Sequence, residues 1–289
     1  MPFISVIIPT YSRKHLVGRA VDSVLHQSYP DFELIVVDDA SEDGTDELEY
    51  FSGSNSRVNY LRLPLHRGVA AARNTGVSRS TGAWICFLDS DDVWHKDKLQ
   101  KQVSWHETHK EFRIFQTQEI WIRKGVRVNP PKTHAKIHGY QFRENLERCM
   151  ITPSSVMMEK RLFLESGGFN ESLPACEDYD LWLRITSAYP VGLIDEPLLT
   201  RFGGHDDQLS GVVPILDRFR IRSILDILNS KKLSKEQSDL ARSQLIKKAL
   251  IVTNGFKKRG KKNDYETYQR LAEKYKKEAP SSGFTAYFL

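Results

Sequence analysis

Four short apolar runs punctuate the first ninety residues: Phe3 to Ile8, Glu33 to Val37, Val58 to Leu63 and Trp84 to Leu88. Continuous, β-branched and aromatic runs of this length read as strands, and the first and fourth as strands buried on both faces. Between them lie stretches with helical spacing. Arg13 to Gln27 carries Leu16, Ala20, Val24 and Leu25 along one face, a shorter helix follows the turn Asp43-Gly44-Thr45, and Gly68 to Ser78 is alanine-rich. Pro9-Thr10-Tyr11-Ser12 stops the first strand. Strands alternating with helices at this spacing imply βαβ units, a parallel sheet and right-handed crossovers.

The pattern loosens after Trp94. A helix runs to about His109, Phe112 to Ile122 alternates like an antiparallel strand, and Lys124 to His138, with Pro130-Pro131, reads as a mobile loop. Ser154 to Met158 reads as a strand and Lys160 to Ser166 as a short helix closed by Gly167-Gly168. Asp178 opens a further helix, and Val191 to Ile194 and Leu198 to Phe202 are short strands. From Val212 onward only helical patterns remain, roughly Ile215 to Leu228, Lys235 to Phe256 and Asp264 to Lys277. A boundary is therefore expected near Ser210, dividing an α/β unit, 1–210, from an all-helical extension, 211–289. Within the first unit, 1–110 is the expected nucleotide-binding half and 111–210 the acceptor half.

Composition narrows this little. A chain of 289 residues with 40% hydrophobic and 27% charged residues is ordinary for a soluble globular protein. Its three cysteines, Cys86, Cys149 and Cys176, form neither a disulfide framework nor a zinc pattern, which points to a reducing, cytoplasmic setting. The apolar amino terminus lacks a basic flank and meets Pro9 too early for a secretion signal, and no run reaches the roughly 18–20 apolar residues of a spanning helix. Charge distribution says more than charge. Between Lys247 and Glu278 eleven basic side chains face four acidic ones, an excess larger than the +5 of the whole chain. Such an extension suits peripheral contact with the anionic inner face of a membrane. It lacks the interleaved aromatics of a nucleic-acid platform, so no nucleic-acid partner is expected. The apolar end, Phe284-Thr285-Ala286-Tyr287-Phe288-Leu289, can tuck into the core, pack in a homodimer or dip into an interface.

The candidate chemistry sits at two strand ends. Trp84 to Leu88 runs straight into Asp89-Ser90-Asp91-Asp92, and Glu33 to Val37 into Asp38-Asp39-Ala40-Ser41. Buried carboxylates are costly, so these acids belong where the strands leave the core, at the crevice where open α/β sheets bind ligands. An extended end points Asp89 and Asp91 the same way, whereas a turn at Ser90 brings Asp91 and Asp92 together. Hard oxygen donors in such a cluster suit Mg2+ or Mn2+ completed by phosphate oxygens and water; the plainer reading is a polar turn capping the next helix. Trp105, Trp121 and Trp182 are candidates for stacking on a sugar ring.

Taken in order, Ile4-Ser5-Val6-Ile7-Ile8-Pro9-Thr10-Tyr11, Val36-Val37-Asp38-Asp39-Ala40-Ser41 with Asp43-Gly44-Thr45, Gly68-Val69-Ala70-Ala71-Ala72-Arg73-Asn74, Asp89-Ser90-Asp91-Asp92 and Glu177-Asp178-Tyr179-Asp180-Leu181-Trp182-Leu183 resemble the family 2 glycosyltransferases of the GT-A fold. The resemblance covers about Phe3 to Ser210. It implies a mixed, mainly parallel Rossmann-like sheet flanked by helices. It further implies an inverting, metal-dependent transfer of a sugar from a nucleoside diphosphate sugar, UDP favoured, to a hydroxyl of a carbohydrate or lipid-linked acceptor in cell-surface polysaccharide or glycolipid synthesis. Carried over by position, Asp91 is a metal ligand, and Asp89 faces the ribose or the metal, with Ser90 between them. Asp39 meets the base, Pro9, Thr10 and Tyr11 wall the nucleoside, and Arg73 approaches the nucleotide. Asp178 is the catalytic base, Glu177 supports the acceptor, and His205 is a third metal ligand. The competing class is a nucleotide-binding scaffold of the same fold without turnover.

Overall fold

The computed structural model describes residues 3–51, 55–204 and 213–277. His205 and the apolar end from Phe284 to Leu289 lie outside them. A nine-stranded sheet organises the α/β unit. Its strands are β1 (Ile4–Thr10), β2 (Phe32–Asp38), β3 (Val58–Arg62), β4 (Trp84–Phe87), β5 (Val93–Trp94), β6 (Ile114–Arg123), β7 (Val126–Val128), β8 (Val156–Glu159) and β9 (Gly192–Gly203). They lie in the order β3-β2-β1-β4-β8-β6-β9-β5, with β7 paired to β6. The first four are mutually parallel, as the alternating pattern requires. β8 is antiparallel to both β4 and β6, whereas β6 runs parallel to β9, so the second half is mixed.

Helices α1 (Lys14–Leu25) and α3 (Lys98–Thr108) cover one face, and α2 (Val69–Arg79), α5 (Lys160–Glu165) and α6 (Glu177–Thr186) the other. The period-2 geometry of β1 divides its side chains between these layers. Ile4, Val6 and Ile8 pack with Val17, Val21 and Leu99, while Ile7 packs with Ala70 and Val77. Gly76 lets α2 approach closely, because a Cβ there would meet Ile7 Cγ2 at 2.5 Å.

Proline 9 lies inside β1 rather than ending it, and its position has a consequence for the neighbouring strand. Ile7 accepts from the Leu88 amide at 3.0 Å, so Ile7 and, two residues on, Pro9 direct their backbone groups toward β4. Pro9 has no N–H to continue that ladder, and the β1–β4 register ends at Ile7↔Phe87. The chain from Leu88 onward thus leaves the sheet beside the end of β1.

Several expected elements differ. The segment after Asp43 forms two 3-10 turns, Thr45–Glu47 and Glu49–Phe51, rather than an α-helix. The two short strands after Val191 are one strand, β9, bulged opposite Thr117 to Glu119. Lys124 to His138 is not a bare loop: it contains β7 and a 3-10 turn at Lys132–His134, and it buries Lys136. Periodicity missed these because three-residue elements carry no period.

Beyond the sheet, α4 (Phe142–Glu147) and the expected helices, α7 (Asp217–Asn229), α8 (Lys235–Lys258) and α9 (Lys262–Lys277), form a third apolar cluster. A capping box at Ser234 and Gln237 starts α8. The cluster also takes Tyr179 and Leu183 from α6, and the Tyr179 hydroxyl donates to the Leu146 carbonyl at 2.8 Å. Helix α6 is therefore held on one side by Leu181, Trp182 and Ile185 in the sheet core and on the other by the C-terminal helices. Among the described residues, no helix is long and apolar enough to cross a membrane.

Candidate active site

The parallel register brings Thr10 beside Asp38, so β1, β2 and β4 all empty onto one edge. Asp89 to Asp92 form a turn closed by the Asp92 amide on the Asp89 carbonyl at 3.0 Å, with Ser90 buried inside it. Of the two arrangements the sequence allowed, the turn is the one adopted, but it does not gather Asp92 with Asp91. Asp92 points inward and accepts from the Phe202 amide of β9 at 3.1 Å. Burial holds its carboxyl well above the ordinary range, Arg201 opposing and Asp91 and Asp89 adding to the rise.

Asp89 and Asp91 each meet a guanidinium, Arg73 Nη2 on Asp89 at 2.6 Å and Arg13 Nη1 on Asp91 at 2.9 Å. Burial pushes the Asp89 carboxyl up, and Arg73 more than reverses it, leaving it lowered. Asp91 is raised by burial and by the charge of Asp89, against the pull of Arg13. Asp89 and Asp91, each paired with a guanidinium, offer an all-oxygen donor set of the kind that fits Mg2+ or Mn2+. Among the described residues no three His, Cys, Asp or Glu side chains converge. The pair therefore suits a cation that draws the rest of its shell from phosphate and water.

Arg73 joins this edge to α6. Its Nη1 lies 2.7 Å from Glu177 Oε1, the guanidinium is only 4% exposed, and its Nε is buried without a hydrogen-bond partner. Burial would lower its pKa, but Asp89 and Glu177 hold it above the ordinary value. Glu177 is raised by burial and by Asp178, against Arg73. Asp178, half-buried beside it, does not cap α6. Cys176, at φ 63°, occupies the cap, and Asp178 lies in the first turn. Its Oδ1 accepts from the Tyr179 amide at 2.6 Å and its Oδ2 from the Cys149 thiol at 3.3 Å. A left-handed conformation at a non-glycine residue is a strained arrangement found at functional sites. Ser12 (φ 49°) and Ala40 (φ 65°), at the ends of β1 and β2, share it.

Asp39 likewise caps no helix. Asp38 takes the local role, accepting from the Ser41 amide at 2.8 Å and from the Tyr60 hydroxyl. Asp39 instead accepts from the Arg67 and Gly68 amides at 2.8 and 2.7 Å and meets His66 Nδ1 at 2.8 Å. The His66 ring stacks on Tyr11, centroids 3.9 Å apart. Tyr11 is exposed, whereas Pro9 and Thr10 belong to buried strand rather than to a loop wall; Thr10 Oγ1 is buried without a hydrogen-bond partner.

The chain matches the family described as Glycosyl transferase family 2 over residues 5–164, more than half its length. The chain belongs to this family. Among curated relatives, a putative teichuronic acid biosynthesis glycosyltransferase TuaG of Bacillus subtilis is 44% identical over 36% of this chain and 42% of its own. The UDP-Glc:alpha-D-GlcNAc-diphosphoundecaprenol beta-1,3-glucosyltransferase WfaP of Escherichia coli is 33% identical over 65% and 71%. An uncharacterized glycosyltransferase of Rickettsia bellii, also 33% identical, matches 68% of this chain but only 28% of its own length. The chain thus spans less than half of some relatives that it resembles. S. aureus TarS 1-349 in complex with UDP-GlcNAc superposes with a TM-score of 0.66 at 18% identity, over 96% of this chain and 93% of that one. The mannosyltransferase PcManGT of Pyrobaculum calidifontis, in complex with GDP-Man and Mn2+, gives 0.59 at 17% identity, over 95% and 84%. The expected GT-A-type mixed sheet with a helical C-terminal region is the fold observed.

Set against this family 2 fold, the structure links Asp89, Arg73 and Glu177 directly, with Asp91 paired to Arg13 beside them and Asp178 following Glu177, and with Tyr11 and Asp39 on the neighbouring strand ends. Sequence reasoning missed Arg13, His66, Cys149 and the trio of buried Glu119 and Lys136 with the partly exposed Arg201. Only His66 carried a local signal, as an aromatic two residues before Gly68, which leads into α2. Of the three candidate tryptophans, Trp182 is fully buried and Trp105 packs inside the first core cluster, which leaves Trp121.

Glu119 accepts from Trp121 Nε1 at 2.6 Å and pairs with Lys136 at 2.9 Å and Arg201 at 3.2 Å. Burial would raise its carboxyl, yet Lys136 and Arg201 depress it to about 2. A depressed carboxyl stabilises the fold above its unfolded pKa, and that contribution is lost as pH falls through the folded value. Urea stability of the wild type is therefore expected to decline between about pH 4.5 and pH 2 more steeply than that of Glu119→Gln. Parallel curves would show that Glu119 is not held ionised.

Proposed function

We propose that this chain is a metal-dependent, inverting glycosyltransferase. It moves a sugar from a UDP-sugar to a hydroxyl on a lipid-linked or polysaccharide acceptor, at the inner face of a membrane that its basic C-terminal helices approach. The observation that carries the reading is the buried Arg73 bridging Asp89 to Glu177, with Asp91 two positions beyond the first carboxylate and Asp178 next to the second. The link joins a cation-attracting strand end, where a diphosphate leaves, to a carboxylate on a helix, where an acceptor hydroxyl is deprotonated. Family membership and the UDP-Glc specificity carried in the name of WfaP support the donor class.

In this reading Asp91 and Asp89 hold Mg2+ or Mn2+, with His205 as a further ligand. When bound, the ion stabilises the charge that develops on the leaving diphosphate. Tyr11 and Asp39 receive the nucleoside, with Pro9 and Thr10 fixing the strand end behind them. Ser90 sets the turn that presents Asp91. Arg73, held by two carboxylates, keeps Asp89 ionised and orients Glu177 toward the acceptor. Asp178 takes the proton of the attacking hydroxyl. Its oxygens are fixed by the Tyr179 amide and the Cys149 thiol, so it is positioned before attack. The 1–110 half holds the donor and the 111–210 half the acceptor, while the described C-terminal helices brace α6 from behind.

The test is thermal unfolding with UDP, GDP, dTDP or CDP, each with Mn2+ or with EDTA. UDP is expected to raise the melting temperature by several degrees only with metal, since a ligand at 100 times its Kd adds about 2.7 kcal/mol. No shift with any nucleotide would remove the reading.

A further inference from the structure

The parallel register of β6 and β9 sets Trp121 opposite Arg201. Glu119, Trp121 and Arg123 alternate along β6 and so share one face of the sheet. On that face, the Arg201 and Arg123 guanidinium carbons lie 5.3 and 5.4 Å from the Trp121 ring centroid, and the His134 ring meets it edge-on at 5.7 Å. Lys136 approaches from below, bonded to Glu119 and donating to Ser155 Oγ at 2.8 Å. Arg148 joins by donating to the Thr133 carbonyl at 3.0 Å. The carboxylate among these cations, Glu119, is 6% exposed and already engaged by Trp121, Arg201 and Lys136. Directly around the Trp121 ring Arg123, Arg201 and Lys136 outnumber Glu119, although Asp92 and Asp89 also act on Arg201 and Glu147 lies 3.7 Å from Arg148; Arg123 and His134 open the cluster to solvent.

Like charges gathered around one ring repel, and an anion relieves that cost. Guanidinium groups lying over an indole keep their N–H edges available, the geometry that grips phosphate oxygens in pairs. The cluster also borders the proposed chemistry. Ser155 follows Ser154, whose hydroxyl accepts from the Asp89 amide at 3.0 Å, and Lys136 lies within electrostatic reach of Cys149, the partner of Asp178.

We propose that Arg123, Arg201 and Lys136, arranged around Trp121, bind the phosphate group through which the acceptor sugar is attached to its carrier. This deepens the transferase reading and rests on it. The donor diphosphate belongs to the β4 exit, so the second phosphate site serves the other substrate. The β6–β9 face then fixes the distance from the anchored phosphate to the hydroxyl presented to Asp178.

The test uses the full chain with saturating UDP and Mg2+, titrated calorimetrically with farnesyl monophosphate below its aggregation concentration and, separately, with inorganic phosphate. Arg123→Gln is expected to weaken farnesyl phosphate binding about tenfold, the loss of one charge-assisted hydrogen bond. Lys261→Gln, equally charge-changing but on the helical extension, is expected to leave it unchanged. Equal weakening by both variants would reduce the effect to overall charge and overturn the assignment. Binding of inorganic phosphate without farnesyl phosphate would make the site one for free phosphate and overturn the carrier role. No binding of farnesyl phosphate while UDP still raises the melting temperature would sink this proposal alone. Absence of the UDP shift would take the transferase reading, and this proposal with it.

Discussion

Asp178→Asn is expected to lower the rate of sugar transfer by about 10²- to 10⁴-fold, the range of a lost general base, with the UDP-dependent thermal shift unchanged. The substitution preserves size and the acceptor oxygen facing the Tyr179 amide, so the first turn of α6 keeps its geometry. What it removes is the carboxylate that receives the proton. Asp178 shares no hydrogen bond with the strand ends that hold the donor; Arg73 reaches α6 through Glu177 instead. Binding and chemistry should therefore separate. Single-turnover transfer and thermal shift, measured on one preparation, check both halves. Retained transfer would remove Asp178 from the mechanism, and a lost shift would place it in the donor site.

Asp91→Asn should erase the metal-dependent part of the UDP shift and lower kcat/KM by about 10³-fold, roughly 4 kcal/mol of transition-state stabilisation. The control for folding comes from its electrostatics. Burial and Asp89 disfavour the charged form of Asp91, so a neutral side chain relieves repulsion even as it weakens the contact with Arg13. The metal-free variant should melt at or above the wild-type temperature. A variant that melts as the wild type does and still shows the full UDP shift with Mn2+ would exclude Asp91 as a ligand.

The first half of the fold was legible because β1, β2 and β4 are buried on both faces and the helices on one, which writes periodicity into composition. The strand-end carboxylates were legible for the complementary reason: several acids after an apolar run have few places to go. Legibility failed where position depends on long-range pairing. Glu119, Lys136 and Arg201 come from β6, a connecting segment and β9, and their union is set by a strand register no local pattern encodes. Cys149 reaches Asp178 across 29 residues, and Arg13 reaches Asp91 across 78. The strand-internal Pro9 was misread as a terminator, because a proline's cost depends on whether a neighbouring strand needs its missing donor.

Helix α6 has its two flanks in two different apolar clusters, and this changes what counts as the catalytic apparatus. An element wedged between two cores does not open by itself; its backbone amides exchange with solvent only when one of its neighbours comes away. The carboxylate of Asp178 thus inherits the cohesion of helices that never approach the substrate. Ile224 and Leu245 share the cluster that takes Tyr179 and Leu183, so in the proposed mechanism their packing helps hold Asp178 in place. If Asp178 acts as proposed, substitutions in these helices should alter turnover without altering any group that touches a sugar.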